Sequence, residues 1–285
     1  MKPTVAVIAQ GQMGAAVGKR LTENGLQVLT SLDGRSDASR ARAREAGMTA
    51  ASDDEIAGTD LILSIVPPGD ALVLAERLAP ALERGNRKPA YVDCNAVNPG
   101  TVARIEAVIV PTACPFVDAG IIGGPPKSGS PGPVFYASGA EAQRFAVLND
   151  YGLDVRVIEG AAVGAASAMK MSYAGITKGF TALGTVMMLA ATRAGTAEML
   201  HRELAQSQPA LLGWLTRQVP NMYSKAYRWV AEMEEISDFL EENPPSHDIY
   251  AAIARLYGYL AAAEAEKEPG PDNAVHTLDR VLGKG

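Results

Sequence analysis

The sequence has few cysteines and histidines and no net positive charge. The chain has two cysteines and three histidines in 285 residues, and none of them has the spacing of a metal site, so no metal ligands are predicted. We interpret Cys94 and Cys114 as reduced thiols, which predicts a cytoplasmic protein. The formal net charge of −6 argues against a nucleic-acid partner held by electrostatic attraction.

Long hydrophobic runs and internal repeats are also missing. The apolar stretch 179–192 is too short by itself to span a bilayer, and no signal peptide is evident because strand-like sequence begins at residue 5. The sequence therefore predicts no membrane partner. Hydrophobic residues nevertheless make up 47% of the chain, which is enough for a sizeable core.

The first half alternates between strand-like and helix-like segments, which predicts an α/β fold with a doubly wound parallel sheet. The predicted strands are residues 5–9, 27–31, 61–66, 90–94 and 116–121, with two more at 134–138 and 155–158. The predicted helices are residues 13–24, 36–46, 69–83, 99–108 and 140–149.

The second half contains no convincing strand and is rich in alanine, leucine and methionine. This composition, with turns at proline and glycine, predicts an all-α C-terminal domain. Its first helix is expected over residues 163–193, a length that is typical of helices that join domains or cross a dimer. We therefore predict an α/β domain over residues 1–160, which the glycine turn described next indicates to be dinucleotide-binding, and a helical domain over residues 161–285.

The clearest functional signal is a glycine turn between the first strand and the first helix. Such a turn presents backbone N–H groups and the positive end of a helix dipole to a pyrophosphate. Gly11 would allow the phosphates to approach, and Gly14 would let the helix pack on the strand. The first glycine of the usual pattern is Ala9 here, and a strand–turn–helix without a ligand remains the alternative. The predicted cofactor contacts are Ala9, Gln10, Gly11, Gln12, Met13 and Gly14.

The end of the second strand bears on the choice between NAD and NADP. Asp33 is a candidate for the ribose hydroxyls of NAD, whereas Arg35 and Ser36 are candidates for the 2′-phosphate of NADP. Because a guanidinium binds a dianionic phosphate and a carboxylate repels it, the local charge favours NADP, with NAD as the alternative. For Arg40 and Arg44 on the following helix we favour an exposed surface role.

Two lysines, Lys170 and Lys178, are the only charged residues between Glu159 and Arg193. In an apolar helix a lysine either extends its ammonium group to water or serves as an acid and base in catalysis. Near the end of the fifth strand, Asn95 is either a cofactor contact or a helix cap. Gly123-Gly124 either brings backbone N–H groups to an anionic substrate or forms a simple turn.

The chain resembles the β-hydroxyacid dehydrogenase and 6-phosphogluconate dehydrogenase superfamily in four motifs that occur in the family's order. They are the ending Met13-Gly14 of the glycine turn, the loop Val66-Pro67-Pro68, the segment Asp118-Ala119-Gly120-Ile121-Ile122-Gly123-Gly124, and the helix start Gly164-Ala165-Ala166-Ser167-Ala168-Met169-Lys170. Within the superfamily the chain looks most like a poorly characterised branch with its own C-terminal helical domain.

The sequence departs from the family where a hydroxyacid is normally bound. Ile122 replaces a serine, and Tyr173 and Ala174 replace paired asparagines. The Asp-x-Ser-Thr segment appears as Asp93-Cys94-Asn95-Ala96, and the segment 232–236 lies near the family's usual lysine–aspartate position.

With NADP favoured by the local charge, the resemblance implies an NADP-dependent oxidoreductase acting on a small hydroxyacid-like substrate. It implies Lys170 as general acid and base, with Tyr173 as a second catalytic candidate. It adds Val66, Pro67 and Pro68 to the cofactor contacts, and Ile122, Gly123 and Gly124 to the substrate contacts. Thr177 is a further substrate candidate because helical spacing places it on the face of Lys170. A homodimer through the helical domain is also expected. An imine reductase of the same fold and a non-catalytic NADP(H) sensor remain the alternatives.

Overall fold

The structure is a computed structural model that describes residues 2–8, 11–127, 129–241, 244–266 and 273–282. Its strands form one eight-stranded sheet in the order β3-β2-β1-β4-β5-β6-β7-β8. Every neighbouring pair is parallel except β6 and β7, which are antiparallel. The strands β1 to β8 are Val5–Ile8, Val28–Thr30, Thr49–Ala50, Leu61–Ser64, Ala90–Asp93, Phe116–Ile122, Val134–Ser138 and Asp154–Val157.

Helices follow most of these strands, which confirms the predicted α/β fold. The helices α1 to α6 are Gln12–Glu23, Asp37–Glu45, Asp53–Ala57, Ala71–Arg84, Pro99–Ile109 and Gln143–Ala146. The helices α7 to α12 are Ala165–Arg193, Ala197–Ser207, Pro209–Tyr223, Ala226–Phe239, Pro244–Glu264 and Ala274–Val281. After β8 the described residues contain no further strand, which confirms the predicted helical C-terminal region.

The sheet has an apolar cluster on each face, as the doubly wound arrangement requires. Along β1 the side chains alternate, with Val5 and Val7 in the cluster that contains Val17 and Phe135, and Ala6 and Ile8 in the opposite cluster. Both faces of β1 are therefore buried. This double burial is why the strand is a continuous apolar run and not an alternating pattern.

Two short elements were not predicted, and one predicted helix is wrong in extent. The strand β3 has two residues and α3 has five, which is too short for periodicity to detect. The available signal for α3 was its capping box, in which Ser52 and Glu55 exchange hydrogen bonds. The helix predicted over 140–149 is instead the four-residue α6 followed by a 3₁₀ helix, Val147–Tyr151.

The chain divides into two compact units, Met1–Met171 and Ser172–Gly285. The division falls inside α7, and the functional boundary at residue 160 stays a prediction. The stretch 179–192 is only part of α7, which has 29 residues. The prediction that this stretch is too short to span a bilayer therefore does not extend to the whole helix. By length and composition α7 could cross a membrane, but core helices pass the same test, and 44% of its most apolar window is buried.

Candidate active site

The turn between β1 and α1 leaves the first amides of α1 without a described side-chain partner. Gly11 is the N-cap in an extended conformation (φ −70°, ψ 179°), and no acidic residue lies in the first turn. A Cβ built on Gly11 would meet no atom within 4 Å. Gln12 is exposed, Met13 is half-buried and Gly14 is buried, whereas Ala9 and Gln10 lie outside the described residues. The open helix N-terminus fits the phosphate groups of a dinucleotide.

The turn after β2 gathers two arginines. The N–H of Arg35 donates to the carbonyl of Leu32 (3.2 Å), and Gly34 adopts a positive φ of 68° between them. The Nε of Arg40 donates to the Arg35 carbonyl (3.2 Å), so Arg40 folds back onto the turn, and its interpretation as a purely exposed residue is wrong. Asp33 and Arg44 are exposed.

Ser36 caps the helix that follows this turn. Its hydroxyl accepts from the N–H of Ser39 (3.3 Å), which explains why α2 begins at Asp37. Side-chain caps of this kind satisfy amides that have no partner inside the helix. Ser36 therefore has a structural role that does not depend on a bound cofactor.

A row of buried polar residues crosses the sheet near the carboxyl ends of its parallel strands. The register aligns Ser64 of β4 with Asp93 of β5, then with Asp118 of β6 and Ser138 of β7. Each of these four side chains is at most 1% exposed. In open parallel sheets ligands bind just beyond this edge, and β6 continues past it toward Gly123-Gly124.

Asn95 connects two loops at this edge. Its Oδ1 accepts from the N–H of Val66 (2.6 Å), and its Nδ2 donates to Ser64 Oγ (2.8 Å) and to Asp93 Oδ1. The cap of α5 is Asn98, which accepts from the N–H of Thr101 (2.9 Å). The helix-cap interpretation of Asn95 is therefore wrong.

The side chain of Asn95 shapes the cofactor edge by holding the loop that begins at Val66. Val66 itself is buried, Pro67 is exposed and Pro68 is half-buried. Pro67 immediately precedes a 3₁₀ helix, Pro68–Asp70. The loop therefore presents Pro67 and Pro68, followed by the exposed Gly69 and Asp70, at its surface.

Two further ionisable groups at this edge are kept neutral. Burial, and secondarily the charge of Asp93, raises the pKa of the Tyr91 phenol. Burial followed by the charges of Asp93 and Asp118 raises the pKa of the Cys94 thiol. Neither group is a candidate for proton transfer at neutral pH.

The start of α7 packs directly on β6. A Cβ on Gly120 would lie 2.8 Å from the carbonyl oxygen of Ala166 and 2.9 Å from Cβ of Lys170. Only glycine leaves room for this approach. Because side chains alternate along a strand, Ile122 lies on the same face of β6 as Gly120. It is half-buried and stands two residues beyond the glycine that contacts Lys170.

The glycine pair after β6 is conformationally constrained. Gly123 has a φ of +126°, and a Cβ there would meet Cα of Pro133 at 3.0 Å. A Cβ at Gly124 would meet nothing within 4 Å. The following loop is held by Arg20 of α1, whose Nη2 donates to the carbonyls of Lys127 (3.0 Å) and Ser130 (2.9 Å).

The two lysines of α7 differ in their partners. Lys178 forms an ion pair with Glu232 and lies 4.8 Å from the ring centroid of Trp229. Among the described residues, no carboxylate lies within 4.0 Å of the half-buried Lys170. The structure therefore assigns Lys178 a role in holding the helices of the second unit, and it leaves Lys170 as the candidate for chemistry.

The other two predicted residues of α7 belong to the second unit. Tyr173 is 50% exposed, and the hydroxyl of Thr177 donates to the Tyr173 carbonyl one turn earlier (2.9 Å). Their catalytic and substrate roles stay predictions. In the described part of the chain no group of three or more histidine, cysteine or acidic residues could hold a metal ion.

Sequence reasoning did not single out several residues that build this site. Asp118 and Ser167 were noted only inside their motifs, and Ser138 and Arg20 were not noted as site residues. Their partners lie 20 to 132 residues away in sequence, so local spacing carried no signal for them. The alternation of Asp118, Gly120 and Ile122 on one face of β6 was the one available clue.

A comparison with protein-family models matches residues 4–151 to the NAD binding domain of 6-phosphogluconate dehydrogenase. The chain belongs to this family. Residues 191–260 match a domain of unknown function, DUF1932. The predicted superfamily and its separate C-terminal helical domain are thus confirmed. No curated protein sequence matches the chain.

Solved structures extend the likeness over nearly the whole chain. MTH1747, a conserved protein of unknown function reported as structurally similar to 3-hydroxyacid dehydrogenases, shares 32% identity (TM-score 0.67; 90% of this chain, 99% of that one). The 3-hydroxyisobutyrate dehydrogenase of Mycobacterium tuberculosis with L-serine shares 17% (TM-score 0.73; 98% and 99%). An imine reductase from Myxococcus stipitatus in complex with NAD+ shares 21% (TM-score 0.59; 99% and 100%). The last two similarities show the fold.

Proposed function

We propose that this protein is an NADP-dependent oxidoreductase that transfers a hydride between the nicotinamide and a small hydroxyacid-like substrate. Lys170 is the general acid and base. The observation that carries the proposal is the contact of Lys170 with Gly120, on the strand that leads to Gly123-Gly124. This contact brings a lysine without a described carboxylate partner to the sheet edge where ligands bind in this fold.

Two features of the first unit support NADP as the cofactor. The open N-terminus of α1 would hold the pyrophosphate through the amides of residues 12–14. The side chain of Arg40 contacts the backbone carbonyl of Arg35 at the turn after β2, and no ion pair in the described residues neutralises either arginine. Two guanidinium groups there would bind a 2′-phosphate.

A nicotinamide bound there would supply or accept the hydride. During reduction, the Lys170 ammonium donates a proton to the carbonyl oxygen of the substrate as hydride adds to the carbon, giving a hydroxyl. In the oxidative direction, the Lys170 amine accepts the hydroxyl proton. The amides near Gly123-Gly124 would orient an anionic group of the substrate, because no Cβ stands in the way.

Replacing Lys170 tests the role of the acid and base. Lys170→Met keeps the length of the side chain and should lower turnover by ~10² to 10⁴ without abolishing cofactor binding. Lys170→Arg keeps the positive charge, but a guanidinium does not exchange its proton with a substrate, so this variant should be comparably slow. Full turnover in Lys170→Met would remove Lys170 from the mechanism.

Thermal shifts with NADPH and NADH test the cofactor. A tenfold preference for NADPH corresponds to about 1.4 kcal/mol of additional stabilisation at saturation. Arg35→Ala and Arg40→Ala should each reduce the NADPH shift and leave the NADH shift unchanged. A larger shift with NADH in the unaltered protein would reverse the assignment.

The residue at position 122 favours imine reduction as a second candidate. Ile122 replaces the family's serine on the face of β6 that contacts Lys170, which lowers the polarity where a hydroxyacid would be bound. A panel of hydroxyacids, ketones and cyclic imines, followed by the absorbance of the reduced cofactor, separates the two reactions. NADPH binding at micromolar level without turnover of any substrate would instead favour a sensor.

The homodimer is proposed from an apolar stripe along α7. Tyr173, Ile176, Phe180, Leu183 and Met187 are spaced alternately by three and four residues and are 50–61% exposed. This spacing places them along one side of the helix, where a second copy of the same stripe would cover them. Sedimentation should give a dimer for the unaltered chain and a monomer for Ile176→Glu with Leu183→Glu. Val73→Glu, on an equally exposed valine of α4, is the control.

A further inference from the structure

The carboxylate of Asp118 lies in the middle of β6 and is completely buried. Its Oδ2 accepts from the N–H of Gly164 (2.9 Å), the N–H of Ser167 (3.1 Å) and the hydroxyl of Ser138 (3.0 Å). Its Oδ1 accepts from the Ser167 hydroxyl (2.6 Å). The carboxylate of Asp118 therefore accepts its hydrogen bonds from the start of α7 and from Ser138, the residue paired with it on β7.

These hydrogen bonds form a cap supplied from outside the helix. The first N–H groups of a helix have no partner within it, and three of those at the start of α7 are satisfied here. Gly164 and Ser167 donate to Asp118, and Ala166 donates to Ser138 Oγ (3.0 Å). A negative charge at this end also interacts favourably with the helix dipole. We name Asp118, Ser138 and Ser167 the α7 clasp.

The clasp and the contact with Gly120 together fix the rotation of the start of α7 about its axis and its position along that axis relative to β6. Gly120 is two residues beyond Asp118 on the same face of β6, and Lys170 is three residues beyond Ser167 on the helix. Cβ of Lys170 and the carbonyl of Ala166 lie against Gly120. A sliding or rotation of α7 would break the clasp and move Lys170 away from β6.

We propose that Asp118 is a positioning residue for Lys170, acting through the other two members of the α7 clasp. This inference rests on the proposed role of Lys170 as general acid and base. Asp118 is the first residue of the segment 118–124, which resembles a substrate-binding segment. Its four hydrogen bonds to protein groups assign it instead to the helix that carries the lysine.

A double-mutant cycle with a turned-over substrate tests this coupling. Asp118→Asn places an NH₂ group among donors and should lower kcat by at least about tenfold, because a small misplacement of a catalytic group is costly. The KM for NADPH should stay within about twofold. In a Lys170→Met background, Asp118→Asn should cause no additional loss of kcat. An additive loss, or an unchanged kcat in the single variant, would overturn the proposal.

A second measurement needs no substrate and so separates this inference from the proposed function. Reductive methylation with ¹³C-formaldehyde gives each lysine a dimethyl NMR signal, and the Lys170 signal is the one missing in Lys170→Met. We expect Asp118→Asn to move this signal and to alter its response to NADPH. Asp60→Asn, which changes another carboxylate that accepts a backbone N–H (Thr4, 2.8 Å), should leave it in place.

Milder variants keep the test decisive if Asp118→Asn does not fold. Ser138→Ala and Ser167→Ala each delete one hydroxyl and should shift the Lys170 signal in a folded protein. An unmoved signal in both would contradict the clasp. If the signal moves but Lys170→Met retains full turnover, the proposed catalytic role fails, and with it the assignment of Asp118 as a positioning residue for catalysis.

Discussion

Gly120→Ala is the substitution whose effect follows most directly from the structure. The new Cβ would lie 2.8 Å from the Ala166 carbonyl oxygen and 2.9 Å from Cβ of Lys170, whereas carbon atoms in contact normally lie about 3.5–4.0 Å apart. Neither neighbour is the end of a flexible side chain, so the start of α7 must move by ~0.5–1 Å. Overpacking of this kind costs about 1–3 kcal/mol.

An opposing effect is smaller. Replacing glycine by alanine restricts the unfolded chain and stabilises by about 0.4–1 kcal/mol where the conformation permits it. The overpacking should outweigh this gain and leave a net destabilisation of about 1–2 kcal/mol. At about 2–4 °C per kcal/mol, the melting temperature should fall by ~2–8 °C. Thermal unfolding followed by circular dichroism measures this.

Gly69→Ala is the matched control, because a Cβ at Gly69 meets nothing within 4 Å. Its melting temperature should be unchanged or slightly raised. The same displacement of Lys170 should lower the turnover of Gly120→Ala. An unchanged melting temperature together with unchanged turnover would refute the close packing of α7 on β6.

Three other variants test the remaining assignments. Lys178→Met leaves the mostly buried Glu232 without its lysine and should lower the free energy of unfolding in urea by about 3 kcal/mol. Adding Glu232→Gln should recover part of this loss. Unchanged stability in Lys178→Met would contradict the structural role of Lys178. Asn98→Ala removes the cap of α5 and should cost about 1 kcal/mol, whereas Asn98→Asp should retain most of the stability. Cys94 and Cys114 are buried, so neither should react with Ellman's reagent at pH 8 until denaturant is added. Because the pKa of Cys94 is raised in the folded state, stability should fall as pH rises above about 8.5, where the unfolded thiol ionises, and Cys94→Ala should flatten that decline.

The lysines of α7 illustrate where sequence reasoning stopped. Lys170 and Lys178 stand in the same apolar helix, and composition and periodicity do not distinguish a structural ammonium from a functional one. The motif at residues 164–170 singled out Lys170, but the structural role of Lys178 comes from Glu232, which lies 54 residues beyond it. Asn95 is a similar case, because a strand-end asparagine suits a cap, a ligand contact or a loop clamp equally well. Its hydrogen bond with the N–H of Val66, 29 residues earlier, shows a loop clamp in place of a helix cap, and the cofactor contact stays a prediction.

The sequence alone determined the α/β sheet, the helical second half, the open turn at Gly11 and the order of the superfamily motifs. These features depend on periodicity and turn chemistry, which act between residues a few positions apart. The tertiary structure decided which polar groups are committed to holding the fold and which remain for chemistry. A buried group must find its hydrogen-bond partner wherever the strand order brings one, and the partners of Asp118 come from segments 20 to 49 residues away.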